Sequence, residues 1–241
     1  MALIVGKFGG SSVADTEKIR KVAGRIAETV RQGNQVVVVV SAQGKTTDGL
    51  LQKAAKLSVN AAPRELDQLL ACGEQMSAAL CTMALIEEGI AAVSLSAWQA
   101  GLFTDSVHQN ARPLVLISAR LLQELAQGRV PVVTGFQGVD ANGDLTTLGR
   151  GGSDTTAVFL AYALKADRCL FFKDVDGVYT ADPHLDRTAQ KLESVSYDTM
   201  LSMTQNGAKV LHSRSVELAR QYGIRMEVLP VFSDDAGTTV E

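Results

Sequence analysis

The sequence predicts an α/β fold with a mainly parallel sheet, and two local patterns support this prediction. Leu3–Phe8 form an apolar run that ends in Gly9 and Gly10, and a helical pattern follows from about Asp15 to Arg31. This is the order strand, glycine loop, helix. Val36–Val40 are five consecutive valines, which is too uniformly apolar for a strand with one wet face. We therefore expect a central parallel strand there.

The rest of the chain continues this alternation of apolar strands and helical patterns. The pair Asn142 and Gly143 is a strong signal for a hairpin turn, and the single tryptophan, Trp98, is expected to cover a pocket wall or the core. The predicted helices are Pro63–Glu88, Pro113–Ala126, Thr155–Leu164, Ser196–Met203 and Ala208–Tyr222, and the predicted strands are Ala91–Leu95, Val130–Thr134, Arg168–Phe172, Met226–Val231 and Thr238–Val240.

The composition is that of one well-packed domain spanning residues 1–241. Of the 241 residues, 46% are hydrophobic and 20% are charged, and the net charge is −3. No basic cluster stands out, so we expect no nucleic-acid partner. The sequence shows no signal peptide, and no later apolar run approaches membrane-spanning length, so we expect a cytoplasmic protein without a membrane partner. Cys72, Cys81 and Cys169 are odd in number and widely spaced, which favours buried thiols over a disulfide framework or a zinc site.

The stretch Leu148–Val158, LGRGGSDTTAV, combines glycines with charged residues at the start of a predicted helix. Glycines allow close backbone approach, and the N–H groups at a helix start attract anions. Arg150 adds a planar fork that suits a carboxylate or a phosphate, and Asp154 could hold a metal or orient a lysine. The alternative is an ordinary turn with Ser153 as the helix cap.

Two further loops follow predicted strands. The amides of Gly9–Ser12 can wrap around phosphates, and Lys7 can reach the same charge; the alternative is a tight turn with a surface lysine. Ser41, Thr46 and Thr47 follow the valine strand as candidate hydroxyl donors to a small polar substrate, against simple loop polarity.

The run GKTT within the second loop resembles a phosphate-binding P-loop but does not match one. That motif requires a glycine where Val39 stands, inside the strand, so we exclude the P-loop interpretation.

Charged residues elsewhere add to the candidate site. Glu74 lies in an apolar helix, where an ionised carboxylate is costly without a partner, so we expect it to face the substrate pocket. The acidic loop 173–183 lacks the pattern of a calcium-binding loop and fits a nucleotide pocket with nearby magnesium better. Lys209, near the start of the predicted helix Ala208–Tyr222, is a second candidate phosphate ligand.

With these pieces in place, the sequence resembles the catalytic domain of aspartate kinases, within the amino acid kinase family. The matching motifs occur in the family's order over nearly the whole chain, which is far more specific than any single motif. They are KFGGSSV at Lys7, SAQGKTTDGL at Ser41, CGEQMS at Cys72, TGFQG at Thr134, TTLGRGGSDTTAV at Thr146, KDVDGVYTADP at Lys173 and GAKVLHSRSVELA at Gly207.

The resemblance implies a three-layer αβα sandwich around a mainly parallel sheet, with the amino-acid pocket in the N-terminal part and the ATP pocket in the C-terminal part. It implies that Lys7 and Lys209 bind phosphate and that Asp154 orients these lysines, without a metal-ligand role. Together with the local patterns it assigns Lys7, Asp154 and Lys209 to catalysis; Ser41, Thr46, Thr47, Glu74, Phe136, Arg150 and Ser153 to the amino acid; and Lys7, Gly9, Gly10, Ser11, Lys173, Asp174, Tyr179, Asp182 and Lys209 to ATP.

The activity that the resemblance implies is transfer of a phosphoryl group from ATP to the side-chain carboxylate of L-aspartate, with Mg²⁺ as cofactor. The product would be 4-phospho-L-aspartate, on the route to lysine, threonine and methionine. A carboxylate is already ionised at neutral pH, so no strong general base is needed. Two alternatives are a kinase of another small acid on the same fold and a non-catalytic nucleotide-binding subunit.

The sequence departs from the family pattern in a few places. Lys173 stands where threonine is common, and we expect it to pair with Asp174 or Asp176 or to alter base preference. His184 stands where arginine is frequent. Aspartate kinases usually continue into paired ACT regulatory domains, which this sequence does not include, so we expect insensitivity to lysine and threonine. A homodimer through the catalytic domain remains an expectation.

Overall fold

The computed structural model describes residues 1–183 and 185–241, so His184 lies outside the described residues. In chain order, the helices and strands of the described residues are β1 (Leu3–Phe8), α1 (Thr16–Arg31), β2 (Gln35–Val40), α2 (Thr46–Leu57), α3 (Pro63–Glu87), β3 (Ala92–Leu95), α4 (Ala97–Ala100), β4 (Leu102–Thr104), β5 (Pro113–Leu116), α5 (Ala119–Ala126), β6 (Val130–Thr134), β7 (Gln137–Val139), β8 (Leu145–Thr147), α6 (Gly152–Leu164), β9 (Arg168–Lys173), β10 (Val178–Tyr179), β11 (Lys191–Leu192), β12 (Ser194–Val195), α7 (Tyr197–Gln205), α8 (Ser213–Tyr222), β13 (Met226–Pro230) and β14 (Thr238–Val240).

The main sheet has eight strands in the order β12-β14-β13-β9-β1-β2-β6-β3. Strands β13 and β14 pair antiparallel, and the other neighbouring strands of this sheet are parallel. The predicted α/β class with a mainly parallel sheet is therefore confirmed.

Helices cover both faces of this sheet, which gives the three layers that the resemblance implied. Alternate valines of β2 point to opposite faces, as strand geometry requires. Val36, Val38 and Val40 pack with the buried residues of α1 and α3. Val37 and Val39 pack with the buried residues of α5, α6 and α8. An apolar run without alternation is therefore the expected sequence of a strand covered on both sides.

A second sheet of four strands, in the order β5-β4-β7-β8, lies beside α3. Strands β7 and β8 form the predicted hairpin, in which Gly143 has a φ of +85° at the turn. The chain leaves β8 at Thr147 and enters α6 at Gly152. This small sheet therefore delivers the glycine-rich stretch to the carboxyl edge of the main sheet.

Two predicted helices are wrong in part because a strand or a loop takes their first residues. Pro113–Leu116 form β5, which pairs with β4, so the helix of this region covers only Ala119–Ala126. Helix α8 begins at Ser213 instead of at Ala208, and Lys209 lies in the segment before it, not at a helix start.

Trp98 and β3 are also more exposed than predicted. Trp98 is 58% exposed, because the single turn of α4 directs Ala97 and Ala100 into the core. Strand β3 lies at the edge of the main sheet and is only partly buried. Trp98 is therefore not a core residue, and the strand that was predicted to be buried is a partly buried edge strand.

Helix α3 corrects the expectation that no apolar run reaches membrane-spanning length. Pro63–Glu87 is long and apolar enough to span a membrane by length and composition alone, and half of its most apolar window is buried in the protein. It packs against α1 and the main sheet and buries Asp67 and Glu74. A core helix passes the same test of length and composition, and these contacts are those of a core helix.

Candidate active site

A cleft of about 520 Å³ opens at the carboxyl ends of β1 and β2, beside the glycine-rich stretch. Parallel strands of α/β proteins commonly present their ligand sites at this edge. Eight of the predicted site residues line the cleft: Lys7, Ser41, Thr47, Glu74, Phe136, Arg150, Ser153 and Asp154.

The wall formed by residues 149–152 depends on glycine. Gly149 and Gly151 have φ angles of +75° and +72°, in the region that side chains rarely adopt. A Cβ atom on Gly151 would also lie 2.3 Å from the Cβ and Cγ atoms of His212. Helix α6 begins at Gly152, with Gly151 and not Ser153 at the cap position. The N-terminus of α6 therefore faces the cleft, and Ser153 contributes its side chain to the wall.

A buried cluster of three charges lies at the inner end of the cleft. Asp154 Oδ1 lies 2.7 Å from Lys7 Nζ, and Asp154 Oδ2 lies 3.2 Å from Lys173 Nζ. The three residues come from the first turn of α6, the end of β1 and the end of β9. Strands β1 and β9 are adjacent and parallel, with Lys7 paired to Phe171. This register brings both lysines to one carboxylate.

Burial and the neighbouring charges shift the pKa of Asp154 and of Lys173. Burial raises the pKa of Asp154, but the ammonium groups of Lys173 and Lys7 outweigh burial and lower it to about 2. For Lys173, burial lowers the pKa to about 8, despite the opposing charge of Asp154. At neutral pH Asp154 is therefore ionised, and Lys173 is mostly protonated.

The observed partner of Lys173 differs from the predicted partners. Asp174 is exposed, and Asp176 instead accepts hydrogen bonds from Tyr179 and Lys191. Lys173 is the last residue of β9 and points toward α6, so its side chain reaches Asp154, which is distant in sequence. The prediction that Lys173 pairs with a neighbouring aspartate is wrong.

Glu74 lies on the opposite side of the cleft, on α3. Its Oε1 accepts a hydrogen bond from the backbone N–H of Ala42 at 2.9 Å, and its Oε2 has no hydrogen-bond partner among the described residues. Burial raises the pKa of Glu74 to about 7, although the Ala42 N–H opposes this shift. The prediction that Glu74 faces the pocket agrees with this position, and its free oxygen can accept a hydrogen bond from a cationic ligand.

The sequence interpretation missed a second buried carboxylate, Asp67, which lies about two turns before Glu74 on α3. Asp67 accepts hydrogen bonds from His108 Nδ1 at 2.7 Å, from the Gln109 N–H at 3.1 Å and from the Thr147 hydroxyl at 2.6 Å. Gln109 and Thr147 both line the cleft. The signal was available, because Asp67 and Glu74 lie seven residues apart and therefore on one face of α3.

Arg214 of α8 binds the two segments that carry Gln109 and Thr147. Its guanidinium donates to the carbonyl groups of Leu148 and Ala111 and to the side chain of Asn110. These bonds link α8 to Leu148, at the start of the glycine-rich stretch, and to the neighbouring loop at Asn110 and Ala111. The sequence interpretation did not single out Arg214.

The other predicted site residues lie outside the lining of the cleft. Thr46 begins α2, and its methyl group would contact a Cβ atom on Gly73 at 3.6 Å. Gly10 approaches the loop after β2 closely, since a Cβ atom there would lie 2.5 Å from the Ala42 carbonyl oxygen. Asp174, Asp182 and Lys209 are exposed.

The comparisons with known proteins agree with this architecture. The sequence model of the amino acid kinase family matches residues 2–230. The chain belongs to the amino acid kinase family. It is 51% identical over its whole length to an aspartokinase of Bacillus sp. (strain MGA3) and spans 59% of that protein. The chain thus spans well under two thirds of the curated relatives that it matches.

Solved structures of aspartate kinases have the same fold. The structure of aspartate kinase from Synechocystis superposes with a TM-score of 0.88 at 49% identity, over 99% of this chain and 40% of that one. Aspartokinase III of E. coli in complex with aspartate and ADP superposes with a TM-score of 0.87 at 27% identity, over 99% of this chain and 64% of that one. The resemblance seen in the sequence is therefore confirmed for the family and the fold.

The cleft of this member of the amino acid kinase family offers few side chains as metal ligands within the described residues. Among the residues that the structure describes, no three His, Cys, Asp or Glu side chains are grouped as metal ligands. Both carboxylate oxygens of Asp154 already contact lysines, which leaves this buried carboxylate poorly suited to a cation.

Proposed function

We propose that this chain phosphorylates the side-chain carboxylate of L-aspartate with ATP. The proposal rests on two groups that lie at one cleft. One is a buried carboxylate with an oxygen that has no partner among the described residues, and the other is a buried cluster of net positive charge. Glu74 supplies the first, and Lys7, Asp154 and Lys173 supply the second. An acidic amino acid carries a cationic group at one end and an anionic side chain at the other, so its charges complement the two walls.

The proposed arrangement follows these charges. The ammonium group of the substrate contacts Glu74, and its α-carboxylate contacts Arg150, whose side chain lines the cleft without an ion-pair partner in the described part of the chain. Ser41, Thr47 and Ser153 provide polar contacts at the same wall. The aspartate and ADP bound by E. coli aspartokinase III support this pair of substrates.

The proposed mechanism needs alignment and charge neutralisation more than proton transfer. The side-chain carboxylate of aspartate is ionised at neutral pH. It attacks the γ-phosphorus of ATP, the bond from that phosphorus to the bridging oxygen breaks, and ADP leaves. The positive charge of Lys7 reduces the electrostatic repulsion between the aspartate carboxylate and the phosphates of ATP. We propose that Mg²⁺ would be held mainly by the nucleotide phosphates and would offset part of their charge.

Several finer assignments stay predictions. Gly9, Gly10, Ser11, Tyr179, Asp174, Asp182 and Lys209 are proposed contacts to ATP, and Thr46 and Phe136 are proposed contacts to the amino acid. The division into an amino-acid part and an ATP part, the role in lysine, threonine and methionine synthesis, a cytoplasmic location and a homodimer are likewise predictions.

A substrate panel tests the proposed function. We expect ATP consumption with L-aspartate and not with L-glutamate, N-acetyl-L-glutamate or UMP, and we expect hydroxylamine to trap the acyl phosphate as a hydroxamate. Lys7→Ala should lower kcat by about 100-fold or more. The variant should still fold, because Asp154 keeps Lys173 as a partner.

The results that contradict the proposal are distinct. Turnover of another acid in place of L-aspartate would indicate a different kinase on this fold. ATP binding without turnover of any acid would indicate a nucleotide-binding subunit. A near-normal rate for Lys7→Ala would remove Lys7 from the mechanism.

A further inference from the structure

Lys173 occupies an unusual position for a lysine at the end of a sheet strand. Its side chain is only 15% exposed, and its ammonium group lies 3.2 Å and 3.4 Å from the two oxygens of Asp154. Burying an ammonium group costs free energy unless a partner or a ligand compensates for it. Asp154 is shared with Lys7 at 2.7 Å, so one carboxylate serves two buried cations.

The cluster therefore carries one positive charge more than it needs for its own neutrality. Each ammonium group has three N–H donors, and the contacts with Asp154 use only part of this capacity. Lys7 and Asp154 line the cleft, and Lys173 adjoins it through its contact with Asp154. An anion bound there would complete the charge balance.

The other lysine predicted to bind phosphate is placed differently. Lys209 is exposed in the segment before α8, whereas Lys173 is held by the same carboxylate as Lys7. Strand pairing fixes this position, because Lys173 ends β9 and pairs with Pro230 of β13. Lys173 is thus preorganised for a ligand, and its side chain loses little further freedom on binding.

We propose that Lys173 is a catalytic residue whose ammonium group, held by Asp154, binds the terminal phosphoryl group of the nucleotide together with Lys7. This rests on the proposed function only for the identity of the phosphoryl acceptor. In the transfer, the acceptor carboxylate forms the new bond to phosphorus, the bond to the bridging oxygen breaks with its electron pair leaving on ADP, and Lys173 keeps its proton.

Binding of nucleotides in the absence of any acceptor tests the proposal. The affinities for ATP, AMP and inorganic tripolyphosphate are measured by calorimetry for the wild type, Lys173→Met and Lys173→Arg. Lys173→Met should weaken ATP and tripolyphosphate binding by about tenfold or more and leave AMP binding within about twofold. Lys21→Met is the matched control, because Lys21 also pairs with a carboxylate, Glu17, but on the surface. It should change none of the three affinities.

The pH profile separates direct contact from a merely structural role. The charged groups that face Lys173 are Lys7 of β1 and Asp154 of α6, and Asp154 is ionised throughout the range, since its pKa is about 2. As the pH rises from about 7 to about 9, wild-type ATP affinity should fall because the pKa of Lys173 is about 8. Lys173→Arg keeps its charge, so its affinity should stay level over this range.

The outcomes decide between the proposal and its alternatives. Equal ATP affinity in the wild type and Lys173→Met would overturn it, and so would an equal loss of affinity for ATP and AMP. If Lys173→Met does not fold, the pH profile of Lys173→Arg decides, and a profile that falls like that of the wild type overturns the proposal. These measurements use no amino acid, so a failed substrate panel would leave them interpretable.

Discussion

Glu74, the proposed contact to the substrate ammonium group, is buried at a cost to the stability of the fold. It is buried, one of its oxygens lacks a partner among the described residues, and its pKa is raised to about 7. In the unfolded chain this group titrates near its ordinary value of 4.5. Between these two values the native state binds more protons than the unfolded state, so the contribution of Glu74 to stability is lost as the pH rises through this window.

Glu74→Gln should therefore be more stable than the wild type at neutral and higher pH while binding the amino acid less well. The two proteins should have equal stability below about pH 4.5. Above pH 7 the variant should gain up to roughly 3 kcal/mol in its free energy of unfolding, as the pKa shift implies. Urea denaturation over this pH range measures the difference, and KM for L-aspartate should rise.

A second buried glutamate provides the control for this experiment. Glu124 is as buried as Glu74, but it pairs with Arg120 at 2.5 Å and Arg129 at 2.6 Å. Glu124→Gln should destabilise the protein at neutral pH, because it removes the carboxylate that forms salt bridges with Arg120 and Arg129. A gain in stability for both variants would show that the pH effect does not come from the missing partner of Glu74.

Single residues also mark the limit of what the sequence could predict. Glu74 was predicted to face the pocket because burying an isolated carboxylate in an apolar helix costs free energy unless a partner or a ligand compensates for it. The pairing of Lys173 with Asp154 was not predicted, because it depends on the register of β9 against β1 and on where α6 begins. Local charge patterns favoured the adjacent aspartates, and only the assembled sheet shows which side chains meet.

At the scale of elements, the turn into α6 is held by packing as well as by backbone conformation. Gly151 and Gly143 both have positive φ angles, +72° and +85°. They differ in surroundings, because a Cβ atom on Gly151 would overlap His212 at 2.3 Å, whereas one on Gly143 would meet nothing within 4 Å. The two glycines therefore separate backbone strain from steric overlap.

Gly143→Ala should cost about 1 kcal/mol of stability, from backbone strain alone. Gly151→Ala should cost roughly 1–3 kcal/mol more, because the overlap forces α8 away from the glycine-rich stretch. It should also weaken binding of the phosphoryl donor, which Gly143→Ala should not do. Urea denaturation and calorimetry measure both effects, and equal losses for the two variants would contradict the role of His212.

Element boundaries were predicted well where burial on both sides leaves one possible structure, as for β1, β2 and β6. They were predicted poorly where short apolar runs are ambiguous. Leu114, Val115 and Leu116 suit a helix or a strand equally by composition, and pairing with β4 decides in favour of the strand. The residues before α8 form an irregular segment, although their composition is compatible with a helix.

At the scale of the whole molecule, one sheet separates two apolar cores. Cys81 of α3 belongs to the core that includes α1, and Cys169 of β9 belongs to the core that includes α6 and α8. Both thiols are buried, and burial raises the pKa of each, to about 12 for Cys81. Cys72 is exposed. The three thiols therefore report separately on the surface and on each face of the sheet.

We expect a thiol-reactive disulfide reagent to label Cys72 alone in the native protein, because a buried thiol with a raised pKa reacts slowly. In rising urea, Cys81 and Cys169 should become reactive at the same concentration, since both cores share the strands of one sheet. Mass spectrometry of the labelled peptides identifies each site. Labelling of one buried thiol well before the other would show that the two faces unfold as separate units.

The position of β1 at the centre of the sheet has a consequence for synthesis of the protein. One neighbour of β1, β2, is the next strand along the chain, but the other, β9, begins only at Arg168. While the ribosome makes the intervening residues, one edge of an apolar strand stays unpaired, and such edges promote aggregation. We therefore expect the nascent chain to aggregate more readily until β9 emerges, and the pairing of β9 with β1 also brings Lys173 to Asp154 and completes the charge cluster.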